Sequence, residues 1–203
     1  MEIDPLELAR GFVSGDALRR TIGFAAINAL TRSVFDRAGF VPPRSADSVG
    51  GLDPRPGETV GMIGYFTPLV DRIVERGARL VIVELREDLV RDDGTVRVTT
   101  DARELAGCRE VLATGTLMLN DSLERMLGHC RGATRLSLVG PSVGAPPDPL
   151  FARGVTLLGG NWVRDPRGYI AALVAGEPTG AHACKVALRR DDYPGWDALL
   201  SRS

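Results

Sequence analysis

Aromatic residues make up only 5% of this 203-residue sequence, too few for the stacking platforms on which single-stranded nucleic acid is held. The net charge of -1 adds no electrostatic pull toward phosphate backbones or anionic membrane surfaces. Nucleic acid and membranes are therefore not expected partners. No apolar run approaches the roughly 18 residues needed to cross a bilayer. The opening Met1-Glu2-Ile3-Asp4-Pro5 has neither the basic nor the apolar region of a secretory signal. Cysteine is scarce as well: Cys108, Cys130 and Cys184 are far apart and odd in number, which suits free thiols in a reducing compartment better than a disulfide framework. A cytoplasmic protein is expected.

Several chemical signatures are also absent. There is no CxxC, no HxxxH and no carboxylate pairing at ligand spacing, so no metal site is expected. His182 and Cys184 stand at i, i+2, which on a strand puts them on one face. His129 near a helix end has a plain dipole explanation, and Cys130 and Cys184 serve equally as small buried hydrophobes. With His129 and His182 as the only histidines, neither near a strand end in the sequence, a serine–histidine hydrolase is not expected. GxGxxG does not occur, and no cofactor is named by the sequence.

What is present is an ordinary globular composition, 44% hydrophobic and 25% charged, with room for one domain and a small accessory piece. Helical spacing of Leu18, Ile22, Ala26, Ala29 and Val34 predicts a helix over 14–37, capped by Ser14 or Asp16. A stretch rich in proline and glycine over 41–58 separates it from the rest. Short apolar strands are then expected at 59–63, 79–85, 110–113, 135–139 and 155–158, with a last edge strand at 184–188. Helices are expected between them, over 68–76, after the capping boxes that begin at Asp101 and Asp121, and from Pro166 to a stop at Gly176. Strands alternating with helices predict an α/β fold with an open, mainly parallel sheet. The division expected is 1–57 for the helical segment and linker and 58–203 for the sheet domain.

In such a sheet ligands bind outside the carboxyl ends of the strands. The first strand ends in Gly61-Met62-Ile63-Gly64-Tyr65-Phe66, where glycine serves either a ligand's close approach or a tight turn. Glu84 closes the second and is either a solvated charge or an acceptor for a ribose or an amine. The third gives the richest run, Thr114-Gly115-Thr116 through Asn120-Asp121-Ser122. Capping accounts for Asp121 or Ser122 but not for the threonines, so ligand contact is favoured here. The fourth ends in Gly140-Pro141-Ser142.

Together with Gly23-Phe24-Ala25-Ala26-Ile27-Asn28-Ala29 and Pro149-Leu150-Phe151, these segments occur in an order that resembles the domain-of-unknown-function 364 (DUF364) family, named for heavy-metal chelation. The resemblance covers residues from about 8 to 188. It implies a Rossmann-like domain preceded by a smaller enolase-N-terminal-like, DUF4213-type domain, with the site between them. Here only a helical remnant of that smaller domain is expected. Carried over by motif, the site involves Asn28, the turn from Gly61 through Gly64 and Tyr65 to Phe66, Thr114, Gly115, Thr116, Asn120, and Gly140 through Pro141 to Ser142.

The function this implies is small-molecule binding, with enzymatic work in chelator or specialised amino-acid metabolism left open. Two alternatives stand beside it: a non-catalytic binder of a metal or metal chelate, and a nucleotide- or S-adenosylmethionine-dependent enzyme using the glycine turn and Glu84. Lacking the family's small additional sheet, the 14–37 helix should leave an apolar face uncovered, and such faces are usually buried in an interface. A homodimer through this helix is the expected outcome. Light scattering at tens of micromolar checks it, and a monomer there would count against it.

Overall fold

The computed structural model describes residues 3–14, 16–46, 50–141 and 143–202. The chain opens with two helices, α1 (Pro5–Ser14) and α2 (Ala17–Arg37), the second capped by Asp16, whose carboxylate accepts from the Arg19 N–H at 2.9 Å. The sheet follows as β1 (Thr59–Ile63), β2 (Arg79–Val83), β3 (Arg91–Asp92), β4 (Val96–Thr99), β5 (Glu110–Thr114), β6 (Arg135–Val139), β7 (Leu157–Val163) and β8 (Ala183–Arg189). Around it lie α3 (Thr67–Val74), α4 (Leu123–His129), α5 (Asp148–Ala152), α6 (Pro166–Ala175) and α7 (Trp196–Leu200).

These strands form one sheet in the order β3-β4-β2-β1-β5-β6-β7-β8. The six from β4 to β7 are parallel. At the margins β3 pairs antiparallel with β4, and β8 antiparallel with β7. Alternation along β1 serves two cores. Val60 and Met62 pack in the layer of Val70 and Ile73 from α3, while Ile63 packs with Leu105, Met126 and Leu127 on the opposite face. Phe24 of α2 belongs to this second cluster, so the N-terminal helices are joined to the main core.

The observed elements differ from the sequence expectations in instructive places. The helix expected over 14–37 is preceded by α1, which folds back on α2. The second strand stops at Val83, and the fifth runs on to Val163. Neither β3 nor β4 is expected from the sequence. Asp101 caps a 3-10 helix, Ala102–Gly107, by accepting from the Arg103 N–H, but Glu104 pairs with Arg97 instead of closing a capping box. Asp121 does not cap α4 at all. It sits exposed in a left-handed conformation, φ 59°, and faces Arg20 at 3.4 Å. No helix among the described residues is long and apolar enough to cross a membrane.

Gly23 is the contact point of the two N-terminal helices. A Cβ there would lie 2.3 Å from the Phe12 nitrogen and 2.9 Å from the Leu8 carbonyl oxygen, and the Phe12 and Phe24 rings meet at 5.2 Å beside it. Alanine in a helix interior usually gains up to about 1 kcal/mol over glycine. The backbone clash outweighs that gain here, because the nearest atoms belong to main chain. Gly23→Ala should therefore destabilise by about 1–3 kcal/mol in urea unfolding. It should also raise amide exchange across residues 5–14, and unchanged exchange there would show that the approach of α1 is not set by this glycine.

Candidate functional site

The chain leaves β1, builds β2, β3 and β4 on one side, and returns to place β5 on the other. The strand order thus reverses between β1 and β5, where the turns above the two strand ends diverge and leave a crevice. A cleft of about 500 Å³ lies there, lined from the turns after β1, β2, β4 and β5 and from one face of α4.

Each wall is fixed by local bonds. Gly64 turns the chain after β1 with φ 86°, and its N–H donates to the Val83 carbonyl at 2.9 Å. A Cβ there would meet Thr114 Cγ2 at 3.1 Å, so both conformation and space call for glycine. Glu84 is clasped by backbone: Oε2 accepts from the Tyr65 N–H at 3.1 Å and Oε1 from the Leu85 N–H at 2.7 Å. The Tyr65 hydroxyl accepts from Arg91 at 2.8 Å. Across the cleft the Thr114 and Thr116 hydroxyls are 3.0 Å apart, and the Thr116 N–H donates to Thr114 Oγ1. Asn120 Oδ1 accepts from both the hydroxyl and the N–H of Ser122. The Asn120 backbone N–H donates to the Thr116 carbonyl at 3.1 Å, and its side-chain amide N–H groups make no hydrogen bond among the described residues.

Residues Ser122, Arg125, Met126 and His129 recur on one face of α4 and form the far wall. Thr100 and Ala102, after β4, complete the rim. Between them Asp101 is held down to about 2 by the Arg103 guanidinium and N–H, a fixed negative charge beside the cleft. The result is a polar side (Thr114, Thr116, Asn120), a carboxylate (Glu84), a guanidinium (Arg125), an imidazole (His129) and apolar surface from Leu85, Ala102 and Met126. Such a set can hydrogen-bond hydroxyls and amines, pair with an anionic group, and exchange a proton at the imidazole.

The residues singled out in the sequence are distributed unevenly. Gly64, Tyr65, Phe66, Glu84, Thr114, Thr116 and Asn120 line this one cleft. Gly115 is buried just beneath it, its nitrogen 3.6 Å from where a Gly140 Cβ would sit. Gly140 and Pro141 line a neighbouring groove that shares Phe66. Asn28 lines a third cavity, of about 500 Å³, between α2, β7, β8 and α6, where it lies against Gly144. Gly61 lines none of these cavities: it is buried inside β1, where a Cβ would press on Leu105 at 2.9 Å and Val111 at 3.1 Å. Its role is packing. Ser142 lies outside the described residues.

Arg125, His129, Thr100 and Ala102, with the apolar Leu85 and Met126, are among the lining residues that sequence reading missed. The Asp92-Asp93-Gly94 turn signal with Val96 and Val98 alternating after it could have disclosed β4 and its end. The spacing of Ser122, Arg125, Met126 and His129 could have disclosed the α4 face.

Cysteine takes no part in the cleft. Cys108 and Cys130 are buried, and burial pushes the Cys108 thiol up and the Cys130 thiol up to about 12. The Cys130 thiol donates to the Met126 carbonyl at 3.3 Å. Far from the cleft His182 Nδ1 is 3.0 Å from Asp165 Oδ2, and Asp165 also caps α6 by accepting from the Gly168 N–H. Among the described residues no three His, Cys, Asp or Glu side chains converge as ligands for a cation.

Comparison with known proteins agrees with this architecture. A crystal structure of a DUF364 protein of unknown function from Pyrococcus horikoshii superposes with a TM-score of 0.74 at 22% identity, covering 93% of this chain and 75% of that one. A second DUF364 crystal structure, from Desulfitobacterium hafniense, gives 0.70 at 23% identity, with 94% and 75% covered. An uncharacterized protein of Methanocaldococcus jannaschii is 26% identical over 159 residues, which are 75% of this chain. The chain spans 58% of that relative's length. The family model described as "Putative heavy-metal chelation" matches residues 49–190, well over half of the sequence, and the chain belongs to the DUF364 family.

Proposed function

We propose that the protein binds a polar small molecule in the cleft above β1, β2, β4 and β5, as part of chelator or specialised amino-acid metabolism. The observation that carries this reading is the convergence of Glu84, after β2, with Thr114, Thr116 and Asn120, at the end of β5, on one cleft at the reversal of strand order. Side-chain amides and hydroxyls recognise a polar ligand without bringing an extra charge into a half-dry cleft.

The family description points to heavy metals, and the protein's own residues do not fit a directly held one. A soft cation needs thiolates or several imidazoles, whereas burial holds two of the thiols neutral and the two histidines are on different faces of the molecule. A metal, on this reading, arrives already complexed by the small molecule. The α1–α2 pair is read as the helical part of a DUF4213-type, enolase-N-terminal-like unit ahead of a Rossmann-like domain. Exposed Leu6, Val13, Leu18 and Ile22 support a helix-mediated homodimer.

Two measurements test these points. With a thiol reagent at pH 8, half-buried Cys184 should react while Cys108 and Cys130 stay protected until denaturant is added. Because the Cys130 pKa is raised on folding, its contribution to stability is present below the unfolded thiol's pKa and is lost as pH rises through about 12. Zinc retained stoichiometrically in equilibrium dialysis, with fast reaction of all three thiols, would overturn the indirect reading. For the cleft, the small molecule that co-purifies should be extracted, identified and titrated back. Thr116→Val removes one hydroxyl from an exposed residue, so it should weaken binding by about 1–3 kcal/mol with little change in melting temperature. Full affinity in this variant would move the site elsewhere.

A further inference from the structure

We propose that the cleft receives a nucleoside, its ribose diol on the Glu84 carboxylate, its base against Leu85 and Ala102, and its 5′ substituent toward Thr114, Thr116 and Asn120. This rests on the cleft being the ligand site, and it names the class of ligand.

The first reason is where Glu84 stands. It directly follows β2, the strand beside β1 on the side away from the reversal, and follows the Gly64 turn by 20 residues. A carboxylate in this place is suited to the two adjacent hydroxyls of a ribose. Its geometry is set before any ligand arrives, since the Tyr65 and Leu85 N–H groups hold one oxygen each. An ionised carboxylate has about four acceptor positions, so each oxygen keeps one for a ligand hydroxyl. No ion pair to Glu84 exists among the described residues, which leaves that capacity unclaimed by a guanidinium.

The second reason is the apolar ledge beside it. Leu85 is 73% exposed although it follows a buried strand, and it lines the cleft with Ala102. A large aliphatic side chain held open to solvent next to a diol-binding carboxylate is the surface a planar base would cover. The third reason is on the opposite wall. Thr114, Thr116 and Asn120 supply hydroxyls and amide donors at the end of β5, and Arg125 of α4 supplies one cation to the same cleft. That is where a polar 5′ group would reach.

The turn after β1 decides between two nucleoside classes. Dinucleotides seat a diphosphate on free N–H groups at the start of the helix after β1. Here Tyr65 and Phe66 line the cleft at that turn, and Pro68 in the first turn of α3 has no N–H to offer. A nucleoside whose 5′ group crosses to β5 fits, and one bridged by diphosphate onto α3 does not.

Calorimetric titration of the intact protein with adenosine, guanosine, cytidine, uridine, S-adenosylhomocysteine and NAD tests this directly. At least one nucleoside should bind with Kd below about 1 mM, and the 2′- and 3′-deoxy forms should each bind about tenfold more weakly, the scale of one hydrogen bond to a charged group. Glu84→Gln should weaken the parent nucleoside about tenfold and abolish the preference over the deoxy forms. Should that variant fail to fold, Leu85→Glu replaces an exposed residue and should lose the base contact with an unchanged melting temperature. Equal affinity for ribo and deoxy forms, or NAD binding tenfold tighter than every nucleoside, would overturn the assignment. If no nucleoside binds while the co-purified molecule is weakened by Thr116→Val, the cleft stands and the nucleoside assignment alone fails.

Discussion

β1 is the element on which the rest of the molecule depends. All five of its residues pair with β2, the four from Val60 to Ile63 pair with β5 as well, and those four are buried. A strand so enclosed has no tolerance for bulk on its crowded side, and this is why Gly61 stands where Leu105, Val111 and the Cys108 Cβ close in within about 3 Å. Enclosure also fixes where the crevice must be. With β1 central and the chain sent first one way and then the other, the loops above β1 and β5 touch at their base, where Gly64 meets Thr114, and lead away in opposite directions along the sheet. The free space above them follows from connectivity.

The same burial sorts the chemistry. Residues within the strands are apolar and closely packed, and the thiols near them are held protonated because a thiolate would lose its solvation there. The polar groups of the cleft stand where the strands end. Glu84, Thr114 and Asn120 each satisfy neighbouring backbone or side-chain groups and still present bonding capacity to the cleft. They are preorganised by the turns they terminate, so that binding would order few additional side chains.

Much of this was legible in the sequence. The apolar runs at β1, β2, β5 and β6 are long enough, and flanked clearly enough, to place four strands within two residues of their observed ends. The strand-end rule then led to Gly64, Tyr65, Phe66, Glu84, Thr114, Thr116 and Asn120, seven of the residues that line the cleft. What escaped has physical reasons. β4 is four residues long with Arg97 turned outward, so its apolar signal is brief. The glycines of β7 look like a turn, yet Gly159 and Gly160 are there because Val139 Cγ1 and the Val143 carbonyl come within 3.0 and 3.1 Å of where their Cβ atoms would be. Asp121 satisfies the capping pattern, but the sharp left-handed turn at that residue hands the N-cap position to Ser122. Asn28 shares a motif with the cleft residues but not a cavity, because order along the chain does not encode which side of α2 faces which loop.

The margins of the sheet carry a consequence for how copies of this protein can meet. A parallel sheet with bare outer strands would offer its unpaired N–H and C=O groups to any neighbour. Here one margin ends in the two-residue, charged β3. The other is overlaid by the segment from Pro43 to Ser45, which bonds to β8 through the Ala187 and Ser45 N–H groups. The proline contributes no donor of its own to a further strand. Growth strand upon strand is thereby blocked at both ends. Contacts between helix surfaces depend on side-chain shape and can be adjusted one residue at a time, whereas the backbone ladder that these margins shield is one that every polypeptide shares.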